Sequence, residues 1–211
     1  MSDLAWSTWD YAVTGGWVMV PMILGSIAMW ALILERLRAF ARLSADDLEA
    51  PAALAVIGGA PVPPGRLGLR RLVLERFVAA RTGRAAIDRA VLRHVTERAR
   101  RQLRSRLPVI GALAGVAPLL GLLGTVLGMI ETFQVISVFG TSNARAMAGG
   151  ISVALITTET GLLIAIPGLF VSGALARKAK RLESGLDEFS LALDRSLREQ
   201  IRSTDLMEAA S

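Results

Sequence analysis

Three long apolar stretches, separated by blocks in which polar and charged residues recur, organise the chain. The first runs from Tyr11 to Leu34, the second from Leu107 to Ile130, and the third from Ala146 to Ala176 with only Glu159 interrupting it. About 20 apolar residues suffice to cross roughly 30 Å of hydrocarbon, so each stretch is long enough for a transmembrane helix. Between the first two, Leu69 to Ala80 has the spacing of a short helix, and Ile87, Val91, Val95, Ala99, Leu103 and Leu107 recur at i+4. That spacing predicts a helix running straight into the second span. After the third span, Leu182, Leu186, Phe189, Leu193, Leu197 and Ile201 recur at three and four. The fold class expected is an all-α membrane protein: three transmembrane helices, with long cytoplasmic helical extensions of spans two and three. Pro51, Pro61, Pro63 and Pro64, with Gly58, Gly59 and Gly65, predict a turn-rich loop over 50–67.

Charge gives the direction of insertion. No Lys or Arg precedes Arg36; sixteen fall between Arg36 and Leu107 against six acids, and Arg145 is the sole basic residue from there to Ala176. The positive-inside rule then puts both basic blocks in the cytoplasm. The expected order is a periplasmic segment 1–16, span 17–35, a basic cytoplasmic helical loop 36–107, span 108–130, a periplasmic loop 131–146, span 147–176 and a cytoplasmic C-terminal helix 177–211. Trp6, Trp9, Tyr11 and Trp17 are placed for a headgroup belt. The first residues carry Asp3 and Asp10 and no basic region, so a secretory signal is not expected. Glu35 and Arg36 suit anchoring at the inner end of span one, and Glu131 an interfacial or pore-mouth position.

Composition narrows the chemistry. With 53% hydrophobic residues and 20% charged in 211, the high pI of about 11.1 reflects segregated charge rather than a soluble basic protein. The chain has no Cys and one His, His94, which excludes thiol catalysis, disulfides and a multi-His metal cluster. No cofactor, metal or enzymatic activity is expected. The arginine-rich run 98–106 faces anionic headgroups more readily than nucleic acid, because it lacks stacking aromatics. Gly111/Gly115 and Gly124/Gly128 in span two form G-x-x-x-G pairs that let helix backbones approach, and imply a homo-oligomer. Pro118 is expected to kink that span. A carboxylate in mid-span costs about 2.5–3.5 kcal/mol on insertion scales, which makes Glu159 a candidate protonatable site in a cation path, or a protonated structural group.

Three motifs carry a family resemblance. Gly15-Gly16-Trp17-Val18-Met19-Val20-Pro21 with Glu35-Arg36-Leu37, the run from Ala117-Pro118-Leu119 to Gly128-Met129-Ile130, and the run from Gly150-Ile151-Ser152 to Ala165-Ile166-Pro167 resemble the three spans of the MotA/TolQ/ExbB proton channel family, nearest in pattern to ExbB. The resemblance implies a bacterial inner-membrane homo-pentamer around a central pore. An ExbD-like single-span protein would occupy the pore and a TonB-like protein would receive the work, with Thr125 and Thr158 as pore threonines. A TolQ-like envelope motor, a MotA-like stator and a non-conducting assembly scaffold are the rival readings. One position departs from the pattern. Where ExbB often has a Glu in span three, this chain has Val153, and its acid stands six residues on at Glu159. Six residues is about 9 Å and 240° of helix, so Glu159 is not a simple replacement.

Overall fold

The computed structural model describes residues 15–44, 48–61 and 68–209. Trp6, Trp9, Tyr11, Pro63, Pro64 and Gly65 lie outside them. Among the described residues the chain is entirely helical: α1 (Met19–Leu43), α2 (Ala50–Ile57), α3 (Leu69–Ala80), α4 (Ala85–Arg104), α5 (Leu107–Phe139), a 3-10 turn (Gly140–Ser142) and α6 (Ala144–Ala209). Three helical segments are long and apolar enough to cross a membrane: α1, the α4–α5 run and α6. The protein is an all-α membrane protein.

Three local expectations are corrected. The expected loop over 50–67 begins as helix α2, because Pro51 sits in its first turn, where a missing N–H costs nothing, and Ala53, Val56 and Ile57 are buried at helical spacing. Gly59, at φ 106°, closes the turn after it. The loop expected over 131–146 is helical as far as Phe139, since Val135, Ile136 and Val138 continue the apolar run until Gly140 stops it at φ 68°. The helix expected to run unbroken into span two is interrupted at Ser105 and Arg106. In a continuous helix the Pro108 ring would meet the carbonyl of Arg104. The chain instead leaves the helix at Ser105 and turns through Arg106 at φ 67°, a left-handed conformation that costs an L-residue about 1–2 kcal/mol.

The break leaves carbonyls at the end of α4 without helical donors. Arg36 supplies one: it is buried, and its guanidinium donates to Gln102 O at 3.1 Å and to Ser105 Oγ. The Ser105 hydroxyl donates to the same Gln102 carbonyl at 2.9 Å. Glu35 accepts from Arg106. Arg36, expected as an anchor, is instead buried against the break, while Glu35 pairs with Arg106 and both of that pair stay half-exposed.

The chain divides into two units. The first, Met1–Glu35 with Arg106–Ala174, holds the apolar spans. Val18, Met19 and Met22 of the α1 region pack with Ile156, and Leu120, Leu127 and Ile164 flank them.

The second unit is Arg36–Ser105 with Leu175–Ser211. It buries Phe40, Leu74, Phe77, Leu92, Phe189 and Leu193. The apolar stripe of α4 is not straight, because each i+4 step overshoots a full turn by about 40°. Leu92, Val95, Ala99 and Leu103 are buried, while Ile87 is exposed and Val91 only half-buried. Antiparallel ion pairs join α4 to α6: Arg89 to Asp194 at 2.8 Å, Arg100 to Asp187 at 2.5 Å and Arg104 to Glu183 at 2.6 Å. The first two pairs are partly solvated and chiefly fix register, whereas Glu183 is buried and depends on Arg104 to match its charge.

A tighter electrostatic knot starts α4. Asp88, fully buried, accepts from Thr82 N–H at 2.7 Å, the Thr82 hydroxyl at 2.9 Å, Arg81 Nε at 3.2 Å and Gly83 N–H at 3.2 Å. Arg81 also donates to Ile57 O at 2.7 Å, tying the end of α2 to the same point. Burial pushes the Asp88 carboxyl up, but the Thr82, Arg81 and Gly83 donors together outweigh it and hold the carboxyl below its ordinary 3.8. A depressed folded-state pKa contributes stability that is complete above pH 3.8 and disappears as pH falls through the lowered value. Asp88→Asn should therefore lower stability near neutrality, by about 1–3 kcal/mol. The gap from wild type should close as denaturation curves are taken to progressively lower pH; a gap independent of pH would contradict this account.

Candidate functional site

The span-two and span-three helices, α5 and α6, meet through their smallest residues. Ala114, Ala117, Gly121, Gly124, Gly128 and Thr132 of α5 are buried, at steps of three and four. They oppose Gly150, Ala154, Thr157 and Gly161 of α6. A methyl group at Gly121 would lie 3.0 Å from Thr157 O, and one at Gly128 would lie 2.8 Å from Ala154 N. One at Gly161 would lie 2.8 Å from Ala117 O, and one at Gly124 would overlap the Thr157 side chain. Backbone therefore faces backbone over three helical turns, the contact that holds helices together where lipid removes any hydrophobic drive. Lower on α6, Gly168 leaves room for Met29 of α1 and for Ala114.

Of the four glycines expected to pack, Gly124 and Gly128 lie in this seam. Gly111 makes only an ordinary approach, a methyl there standing 3.4 Å from Ser172 Oγ, and Gly115 is exposed with nothing within 4 Å of such a methyl. Gly121, Gly150 and Gly161 lie outside the two G-x-x-x-G pairs that mark packing in the sequence. The available signal was a near-3.5-residue recurrence of small residues in both spans, which a search for G-x-x-x-G alone passes over.

Thr125 and Thr158 border the seam. With Gly124 facing α6, the seam centre on α5 lies about 55° from Thr125; on α6, Thr158 is displaced from it by about 60°. Leu120 and Leu127, which pack toward the α1 cluster, lie on the other flank of α5. Val153, whose side chain approaches Gly16, lies on the corresponding flank of α6. The two threonines thus occupy the side of the α5–α6 pair opposite α1. Antiparallel register from Gly128–Ala154 and Gly121–Thr158 sets their axial levels about three residues, or roughly 5 Å, apart. Glu159 is not brought to them. It follows Thr158 by one residue, about 100° around the helix, and lies on the exposed side of α6, away from α5.

The hydroxyls share one arrangement. Thr125 donates to Leu122 O at 2.6 Å, Thr132 to Gly128 O at 2.9 Å and Thr160 to Ile156 O at 2.8 Å. Thr158 donates to Ala154 O at 3.0 Å and stands 3.4 Å from Gly121 O on the facing helix. Thr157, fully buried, is 2.9 Å from Val153 O and 3.0 Å from Ala154 O. A hydroxyl has one proton and two lone pairs. With the proton on the helix's own carbonyl, each oxygen presents acceptor capacity outward. The flank can accept hydrogen bonds from water, hydronium or a protonated carboxyl. Among the described residues no group of three or more His, Cys, Asp or Glu is placed to hold a metal ion.

Fold and flank together define a multi-pass helical membrane protein with a close-packed span pair and a hydroxyl-lined side. The model of the MotA/TolQ/ExbB proton channel family matches residues 68–188, more than half of the chain. The chain belongs to that family. It is similar to the biopolymer transport protein ExbB of Aquifex aeolicus, 40% identical over 80 residues, 38% of this chain and 54% of that one. An ExbB-like biopolymer transport protein of Synechocystis is 33% identical over 172 residues, 74% of this chain and 79% of the relative. The Tol-Pal system protein TolQ of Haemophilus influenzae is 34% identical over 97 residues, 44% of this chain and 42% of the relative. The chain spans about half the length of the Aquifex relative and less of the Haemophilus one.

The seam makes a direct prediction. Gly128→Ala should lower the thermal unfolding midpoint of the detergent-purified protein, by the equivalent of about 1–3 kcal/mol, because backbone atoms oppose the new methyl. Gly115→Ala should leave it unchanged or slightly raised. Equal midpoints for the two variants would refute the seam.

Proposed function

We infer that the chain is an ExbB-like subunit of a proton-driven motor in the bacterial inner membrane. In this reading the charge distribution orients it with the N-terminus periplasmic and the basic blocks and C-terminus cytoplasmic. Copies assemble as a homo-oligomer, a pentamer by the resemblance, with α5 and α6 around a pore. An ExbD-like single-span partner lies in the pore, and the motor works on a TonB-like protein to energise outer-membrane transport. No enzymatic step and no cofactor enters this reading.

The observation that carries it is the position of Thr125 and Thr158, about one helical turn apart on the flank that α1 leaves uncovered. A pore wall needs polar groups on the side turned away from lipid, and α1 exposes Val20, Leu24 and Ile27, side chains suited to face lipid. The acceptor oxygens suit a wall along which a partner's carboxyl gains and loses a proton. One charge crossing about 100 mV releases about 2.3 kcal/mol, so a large mechanical step draws on several protons. Glu159, on another side of α6, acts in this scheme on the local field or at the subunit interface rather than beside the threonines.

The 34% identity with a TolQ protein supports a second reading, a motor for envelope integrity. In the source organism, Thr158→Val should abolish energised uptake through outer-membrane transporters while the complex still assembles. Glu159→Gln should impair it less. Normal uptake with a detergent-sensitive envelope in the Thr158→Val strain would favour the TolQ-like role. Normal uptake and a normal envelope in that strain would remove the hydroxyl flank from the mechanism.

A further inference from the structure

The second unit has an open groove of about 690 Å³ along α3 and α4. Ala80, Ile87, Val91 and Val95 give it an apolar lining, and Arg76, His94 and Arg98 stand exposed around it. It accounts for the part of the α4 stripe that the core leaves uncovered, since Ile87 is 43% exposed. The groove is on the far side of α4 from α6. Arg89 and Arg100 reach α6, and Val91, His94 and Arg98 lie about 160° around the helix from them. Among the described residues neither Arg76 nor Arg98 meets a carboxylate.

A second, independent observation comes from α6. Ser184, Glu188, Leu191 and Arg195 recur at three and four and are all exposed, Leu191 at 58%. This ridge is turned away from the core side of α6, where Leu186, Phe189 and Leu193 are buried. Glu188 meets no cation among the described residues. The ion-pair ladder supplies the heights. Asp187 is level with Arg100 and Asp194 with Arg89. Interpolating along α6 puts Glu188 level with Arg98, and Leu191 level with His94. An exposed leucine and an exposed acid on one side of the unit thus stand at the heights of an apolar groove and an exposed base on another. Arg195, level with Ile87, falls at the end of the groove, where an arginine stem can lie on apolar surface with its charge in water.

We propose that the groove is filled by a second copy of this chain: Leu191 of one copy enters it beside Val91 and His94 of the next, and Glu188 pairs with Arg98. This rests on the homo-oligomer of the reading above and gives that oligomer a contact outside the membrane. Copies inserted in the same direction are related by an axis along the membrane normal, which keeps them at one height. With α4 and α6 running along that axis, residues level within one copy are level between copies. Groove and ridge are different surfaces on different sides of the unit, so the contact is head-to-tail and closes as a ring. Burial of Leu191, Ile87 and Val91 supplies the attraction, and the Glu188–Arg98 pair fixes the register.

The chain has no Cys, so introduced thiols report without background. Leu191→Cys and His94→Cys are combined in the full chain, which is expressed in membranes, oxidised and run on non-reducing gels. A ladder of cross-linked multimers is expected, and neither single variant should give one. Adding Arg98→Glu should lower the cross-linked fraction at least about threefold, and adding Glu188→Lys as well should restore it. Restoration also shows that the variants fold. Native mass spectrometry of the detergent-extracted protein counts the copies independently. An oligomer that gives no ladder overturns the groove contact and leaves the oligomeric reading standing, whereas a monomer overturns both. Cross-linked dimers from a single variant, or a ladder that Arg98→Glu does not weaken, also overturn the proposal.

Discussion

Close approach of two helix backbones is the constraint on which the membrane unit depends. Where Gly121, Gly124 and Gly128 meet Gly150, Ala154, Thr157 and Gly161, there is no space for a further carbon atom. This closeness fixes the rotation of each helix about its own axis. Once the glycines of α5 face α6, Thr125 must emerge on one flank and Leu120 and Leu127 on the other, where the α1 cluster receives them. On α6 the same rule turns Thr158 to the flank and Glu159 to the outside. The directions of Thr125, Thr158 and Glu159 thus follow from where side chains are smallest.

Apolar run length, charge segregation and helical periodicity are properties of single segments, and they were legible directly. They gave the helical class, the three spans and the helix Leu69–Ala80. The contacts between segments were less legible. G-x-x-x-G spacing marks a surface able to pack, but it does not say which surface is used. Gly115 satisfies the spacing, yet among the described residues nothing lies within 4 Å of a methyl placed there, while Gly121 falls outside either pair and is central. Glu159 stood out because mid-span acids are rare, a fact about cost that carries no information about direction. Its separation from Thr125 and Thr158 follows only when the seam sets the rotational zero.

Arg36 illustrates a different limit. A basic residue at the end of a span reads as a headgroup anchor, and nothing in its own neighbourhood contradicts that. Its structural partner is created 66 residues away, where Pro108 prevents α4 and α5 from joining and exposes the Gln102 carbonyl. The break and the buried guanidinium therefore depend on each other. Asp88 works in the same manner at the start of α4, collecting the donors of a turn too short to satisfy them internally.

The self-bonded hydroxyls of Thr125 and Thr158 have a consequence for what can bind beside them. With their protons held on carbonyls of their own helices, these groups offer lone pairs and no hydrogen. In that arrangement each oxygen turns its lone pairs toward whatever donates a proton beside the helix. A hydroxyl keeps this acceptor role without carrying a charge.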